Sequence, residues 1–153
     1  MSDRDIVTDH LSIGSIDPAL WDQLYGFLDT GANQEVVDYL AGGGDPNLRN
    51  REQGWTLLHA AAFKDRRTVV EELIARGADV DAVRSGDNFT PLAEAAHKAH
   101  IGCLRVLLAA GASLDCRPLG MSLLESLRHA QKQSEEVRRI LLAARTPSVD
   151  HEQ

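Results

Sequence analysis

The chain contains a unit that recurs at a fixed spacing, and this feature constrains its fold more than any other. A shift of 34 residues along the chain aligns GWTLL at 54–58 with NFTPL at 88–92, and GADVD at 77–81 with GASLD at 111–115. The same shift carries the second pentapeptide back onto GGDPN at 43–47. A spacing in this range is typical of chains that stack copies of one short unit, because a single unit cannot bury its apolar face alone.

Each unit shows the same order of local signals. A turn is followed by a threonine or serine, an alanine- and leucine-rich segment, a polar break, and a second apolar segment that closes on glycine. The second unit has the i, i+1, i+4, i+5 spacing of one helix face, at Val69, Val70, Leu73 and Ile74. We therefore predict two short helices per unit, which become stable only when neighbouring units stack.

The ends of these helices are also marked. Thr56 and Thr90 are predicted to cap the first helices of two units, the latter with Pro91 at the first helical position. The second helices are predicted to end on glycines that adopt the left-handed conformation without a Cβ penalty, at Gly43, Gly77 and Gly111.

At these residues the chain resembles the ankyrin-repeat family. The segments TLLHAA at 56–61 and TPLAEAA at 90–96, each followed by a Gly-Ala-Asp/Ser-Val/Leu-Asp close, carry the resemblance over residues 51–115. The resemblance implies an all-α solenoid of about four helix-turn-helix repeats, joined by β-hairpin-like loops, with the first and last repeats acting as caps.

We place the repeats in a single domain at 14–146, with residues 1–13 and 147–153 as frayed ends. The last repeat departs from the pattern, since Glu125 replaces the histidine, and Leu127 and Arg128 replace small alanines. Terminal repeats are expected to deviate, because their outer faces meet water. The approximate boundaries of the four repeats are 17–50, 51–84, 85–117 and 118–146.

His59 lies among small apolar residues and could be a catalytic base, a metal ligand or a part of the scaffold. The resemblance assigns it a structural role, in which the imidazole joins the turns of adjoining repeats by hydrogen bonds to the backbone. A buried histidine must find partners for its nitrogens, which agrees with that role. The third unit has Ala93 at the equivalent position, so one link between repeats should be missing there.

A zinc site is an alternative suggested by the spacing of His97, His100 and Cys103, with Cys116 further along the chain. The repeat register opposes it, because Cys103 aligns with the inward-facing Val69 while His97 falls on the exposed side of a first helix. The sequence also lacks a nucleophile elbow and a phosphate-binding loop, and its GGG at 42–44 closes a helix instead of opening one. We expect neither catalytic activity nor a cofactor.

Two rows of large side chains recur across the units. The resemblance implies that hairpin tips and the outer faces of first helices form a concave contact surface, and we predict that both rows are exposed there and bind a partner protein. In the alternative, Trp55 and Phe89 fold onto neighbouring hairpins and serve only packing. The first row is Trp55, Phe89 and Met121, extended by Trp21 at the same offset, and the second is Phe63, His97 and His129, followed by Lys64 and Lys98.

The net charge of −7 is concentrated in residues 1–50, which hold nine acidic side chains against two basic ones, Arg4 and Arg49. This balance opposes nucleic-acid binding, and it serves either solubility or attraction of a basic partner. Two cysteines fit a reducing compartment, and neither a signal peptide nor a membrane span is evident, so we expect a cytoplasmic protein. Capped terminal repeats favour a monomer.

We therefore predict a non-catalytic protein–protein interaction module, either an adaptor or a regulator. The alternative is a dedicated inhibitor, such as an immunity protein that neutralises a cognate basic toxin or enzyme. The small size and the acidic first third of the chain suit that alternative. A metal-binding protein is the third option.

Overall fold

Paired helices follow one another along the part of the chain that the computed structural model describes, residues 18–129 and 134–145. The expected frayed ends at 1–13 and 147–153 lie outside the described residues, as does the side chain of His129. The helices are α1 (Pro18–Thr30), α2 (Asn33–Ala41), α3 (Leu57–Phe63), α4 (Arg67–Ala75), α5 (Pro91–Lys98), α6 (Ile101–Ala109), α7 (Leu123–Ser126) and α8 (Ser134–Arg145).

The pairs stack in two layers. The first helices α1, α3 and α5 pack on one another, the second helices α2, α4 and α6 form a parallel layer, and the two layers join within each pair. Small side chains allow the close approach of α3 and α5, since Ala60, Ala61 and Ala62 are completely buried between their neighbours. The all-α solenoid predicted from the repeat is confirmed. No helix among the described residues is long and apolar enough to cross a membrane.

The three second helices end in the same way. The glycines at their ends adopt left-handed φ values of 93°, 90° and 88°, at Gly43, Gly77 and Gly111. After α4 the Gly77 amide donates to the Ile74 carbonyl and the Ala78 amide to the Leu73 carbonyl, both at 3.0 Å. This double hydrogen bond satisfies carbonyls that the helix end leaves free, and a side chain at the glycine would strain it.

Each first helix begins at a hydroxyl cap. The side chains of Thr56 and Thr90 accept from the amides of His59 and Ala93, each at 3.2 Å. The last repeat uses a different residue for the same purpose, because Ser122 caps α7 and its own amide donates to the Glu125 carboxylate at 3.0 Å. Glu125 thus takes over one of the bonds that a histidine makes in the second repeat.

His59 connects two hairpins from a fully buried position. Its Nε2 lies 2.8 Å from the Phe89 carbonyl, and its Nδ1 lies 3.2 Å from the Thr56 amide. Because a carbonyl only accepts, Nε2 carries the proton and Nδ1 accepts from Thr56. Burial lowers the pKa of His59 to about 4, which keeps the ring neutral in this arrangement.

Other links between repeats recur at equivalent positions of successive repeats, and they were not predicted from the sequence. The Arg66 Nε donates to the Leu28 carbonyl at 2.7 Å, and the His100 Nδ1 donates to the Ala62 carbonyl at 2.9 Å. Backbone amides also donate to side chains of the preceding repeat. The Asp79 amide donates to Asn47 Oδ1 and the Ser113 amide to Asp81 Oδ1, each at 2.7 Å.

The loops between helix pairs are hairpin-like, although the described residues contain no regular strand and only an isolated antiparallel bridge between Arg49 and Thr56. Backbone hydrogen bonds also join successive hairpins. The Ser85 amide donates to the Gln53 carbonyl at 3.0 Å, and the Leu119 amide donates to the Asp87 carbonyl at 2.7 Å. The hairpins therefore stand side by side along one edge of the helix stack.

Replacing His59 by alanine should lower the free energy of unfolding by about 2–4 kcal/mol, because it leaves the buried Phe89 carbonyl and the Thr56 amide without this partner. Urea unfolding at neutral pH measures the loss. Thr68→Ala on the exposed side of α4 is the control and should change stability by less than about 0.5 kcal/mol. Equal losses in the two variants would contradict this role of His59.

The same substitution should also change the pH dependence of stability. The pKa of His59 is lower in the folded state than its ordinary value of 6.5, so the stabilising contribution is present above that pH and is lost as the pH falls towards about 4. Wild-type stability should therefore fall more steeply than that of His59→Ala across this window. Unfolding curves at several pH values test this, and parallel profiles would argue against a neutral buried ring.

Candidate functional site

The candidate surface consists of the hairpins and the first helices beside them. The residue before each cap contacts the residue at the end of the same first helix, so the two predicted rows are joined within each of the two middle repeats. The rings of Trp55 and Phe63 meet edge to face at 5.4 Å between centroids, and those of Phe89 and His97 lie 4.9 Å apart. We call these pairs the Trp55 column and the Phe89 column.

Two members of the first row are not exposed, so that prediction is wrong for them. Trp21 is 5% exposed and Phe89 is 8% exposed, and both belong to the hydrophobic core. Trp21 packs beside Tyr25, whereas Phe89 is covered by the ring of His97 and by an arginine from its own hairpin. Trp55 and Phe63 are half-buried, and Met121 remains 38% exposed.

Arg84 occupies the space between the two columns. Its Cζ lies 4.8 Å from the ring centroids of both Trp55 and Phe89, so the guanidinium stacks between them. The Nε donates to both oxygens of Asp87 at 2.8 and 3.0 Å, and Nη1 donates to Glu94 Oε1 at 2.6 Å. This cluster was not predicted from the sequence. In the sequence the cluster is indicated only by an arginine and two acids near the capped start of α5.

Glu94 is the buried member of this cluster, since its side chain is only 4% exposed. Burial raises the pKa of Glu94 to about 7, against the opposing attraction of Arg84. The hydrogen bond from Arg84 lowers the pKa of Asp87, and the same bond raises the pKa of Arg84. The guanidinium charge is thus compensated inside the protein.

Lysines stand at the other end of the two columns. The Lys64 Nζ lies 2.5 Å from Asp29 Oδ1, and this hydrogen bond raises the pKa of the lysine and lowers that of the aspartate. The Lys64 Nζ also lies 5.4 Å from the Tyr25 ring centroid. The Lys98 Nζ lies 4.6 Å from the Phe63 centroid, and this lysine is exposed.

The family model described as "Ankyrin repeats (3 copies)" matches residues 28–118, which is more than half of the 153-residue chain. The chain belongs to the ankyrin-repeat family. Repeats of this family are generally protein–protein interaction modules and are typically non-catalytic. No curated protein sequence matches the chain.

Within the third ankyrin repeat, His97 is half-buried, as Phe63 is in the second. Its Nε2 lies 2.9 Å from Ser126 Oγ, whose own proton goes to the Leu123 carbonyl at 2.6 Å. His97 is therefore the donor. The bond joins the third repeat to the last one, where Ala93 cannot form the link that His59 forms earlier in the stack.

The residues with zinc-like spacing do not converge. His97 bonds to Ser126, His100 bonds to the Ala62 carbonyl, and the buried Cys103 has its Sγ 3.6 Å from Asp65 Oδ1. Burial raises the pKa of Cys103 to about 12, so the thiol stays protonated. In the described part of the chain no cluster of three His, Cys, Asp or Glu side chains is arranged to hold a metal ion.

Glu94 should make the repeat stack less stable as the pH rises. Its pKa is higher in the folded state than the ordinary 4.5, so its contribution is full below that pH and is lost, by up to about 3 kcal/mol, as the pH passes about 7. Glu94→Gln should flatten this part of the stability profile in urea unfolding. Glu71→Gln, in an exposed pair with Arg67, is the control and should leave it unchanged.

Matching slopes for wild type and Glu94→Gln between these pH values would show that Glu94 titrates as it does in water. The comparison is internal to the pair of proteins, so contributions from His59 and from other groups cancel.

Proposed function

We propose that this ankyrin-repeat chain binds a partner protein through its hairpins and first helices, and that it acts without catalysis. The observation that carries the proposal is the Trp55 column, in which two half-buried aromatic rings stand between the cations Arg84 and Lys98. Aromatic and arginine side chains are enriched among residues that dominate binding energy. Hydrogen bonds to Asp87 and Glu94 fix the position of Arg84 before binding, so little reorganisation of this side chain is needed.

Exposed apolar side chains at the hairpin tips extend this surface. Among the described residues four large apolar side chains are well exposed, and three of them lie on two adjacent hairpins: Val83 at 44%, Leu119 at 58% and Met121 at 38%. Leu119 also adopts a φ of 56°, a conformation that is costly for a leucine. Contiguous apolar patches mark contact surfaces, and these side chains support such a patch on the hairpins. The proposed contacts are Trp55, Phe63, Lys64, Lys98 and Met121.

Within this role we propose an adaptor or regulator, and as an alternative a dedicated inhibitor of a basic toxin or enzyme. The first ankyrin repeat supports the alternative, because it holds a single basic residue, Arg49, and carries exposed acids that make no ion pair among the described residues, at Asp22, Glu35, Asp38 and Asp45. Attraction of a basic protein to this repeat would speed association at low salt. In either role we propose a cytoplasmic monomer, in keeping with two free cysteines.

Replacing Trp55 and Phe63 together by alanine should weaken binding of a partner that is isolated by affinity purification on the wild-type chain at least about 100-fold, because the aromatic contact area is lost. Isothermal titration calorimetry measures the affinity, and circular dichroism verifies that the variant stays helical. Leu142→Ala, an exposed apolar residue on α8, is the matched control and should bind like wild type. Unchanged affinity in the folded double variant would contradict binding at this surface.

The salt dependence of the association rate separates the two roles. An inhibitor drawn to a basic target by the first repeat should associate about 10-fold or more faster at low salt than at high salt. An association rate that is slow and indifferent to salt would count against the inhibitor and leave the adaptor.

A further inference from the structure

Two lysines occupy equivalent positions in successive repeats but meet different neighbours. Lys64 and Lys98 are separated by one full repeat. Each directly follows a residue of the second row, Phe63 or His97. The residues of the preceding repeat that face them are equivalent to each other in the same way, Asp29 for Lys64 and Phe63 for Lys98. The repeat thus presents the same lysine once to a carboxylate and once to a ring.

The site around Lys64 shows how a lysine at this repeat position binds a carboxylate. The Lys64 Nζ is 2.5 Å from Asp29 Oδ1 while it lies 5.4 Å from the Tyr25 centroid and 5.5 Å from the Phe63 centroid. A lysine over an aromatic face remains available to an anion on its other side. The chain therefore contains an internal example of a carboxylate bound by this lysine position.

The second site lacks the carboxylate. Phe63 stands where Asp29 stands one repeat earlier, and no carboxylate among the described residues lies within ion-pair distance of Lys98 Nζ. Glu94 precedes Lys98 by four residues on α5, the spacing at which helical side chains pair. It is instead turned inward, 4% exposed, with its Oε1 bonded to Arg84. Lys98 is exposed and makes no ion pair among the described residues, although its charge attracts Glu94 from beyond ion-pair distance.

We propose that Lys98, held over the ring of Phe63, binds a carboxylate of the partner protein, an aspartate or glutamate side chain in a segment whose apolar neighbour contacts Trp55. The inference rests on the proposed function and names the chemistry of the partner segment. The ammonium supplies a charged hydrogen bond of the kind that Lys64 makes to Asp29. The Trp55 column supplies the apolar contact beside it.

A displayed library of random peptides, selected on the full chain, tests the proposal before any partner is identified. Selected peptides should share an acidic residue next to an apolar one. Changing that acid to its amide should weaken binding to the wild-type chain about 5- to 10-fold by fluorescence polarisation. The same change should alter binding to Lys98→Met less than about 2-fold, whereas Lys98→Arg should keep the preference for the acid.

Phe63→Asp provides a second test at the same repeat position. It places a carboxylate where Asp29 stands one repeat earlier, so it should neutralise Lys98 internally and abolish the preference for acidic peptides. Phe63→Leu is its control and should preserve that preference.

The outcomes separate this inference from the proposed function. Peptides that lose binding on Trp55→Ala but carry no shared acid, or whose acid is equally important on Lys98→Met, would overturn the carboxylate site and leave the binding surface in place. Peptides that bind regardless of Trp55→Ala, or a failure to select any peptide, would overturn both.

Discussion

The structure depends on side-chain hydrogen bonds that leave one repeat and end on the backbone of a neighbouring repeat. His59 makes the most buried of them, from its ring to the carbonyl of Phe89. Helices of seven to nine residues, such as α3 to α6, are too short to persist alone, and the loops between them leave carbonyls that must be paired when buried. Arg66 and His100 likewise donate to backbone carbonyls of a neighbouring repeat, at the turns between the helices.

Because these links fix the backbone, one surface position can hold different residue types in successive repeats. Asp29, Phe63 and His97 occupy the same position in three successive repeats, and they serve as an ion-pair partner, a ring beneath a lysine and a hydrogen-bond donor. Because the backbone around them is held by the links between repeats, each substitution alters contacts and not architecture. This property allows a repeat stack to present a specific surface on a common scaffold.

Local features of the structure could be predicted from the sequence, because they depend on a few adjacent residues. The helix pairs, the threonine caps and the left-handed glycines are of this kind. The sequence left the burial of Phe89 as an alternative to its exposure, since the outcome depends on how Arg84 stacks between two hairpins. For the same reason the sequence did not reveal that His97 turns towards Ser126, a residue 29 positions away in an irregular last repeat.

We expect the links between repeats to make the stack one cooperative unit that holds its surface ready for binding. The most direct measurement is equilibrium unfolding followed by the fluorescence of single-tryptophan variants, because Trp21 reports on the first repeat and Trp55 on the second. Trp21→Phe and Trp55→Phe should each show a fluorescence transition that coincides with the loss of helical circular dichroism. A transition at Trp21 that separates from the one at Trp55, once each is compared with its own circular dichroism curve, would contradict the claim.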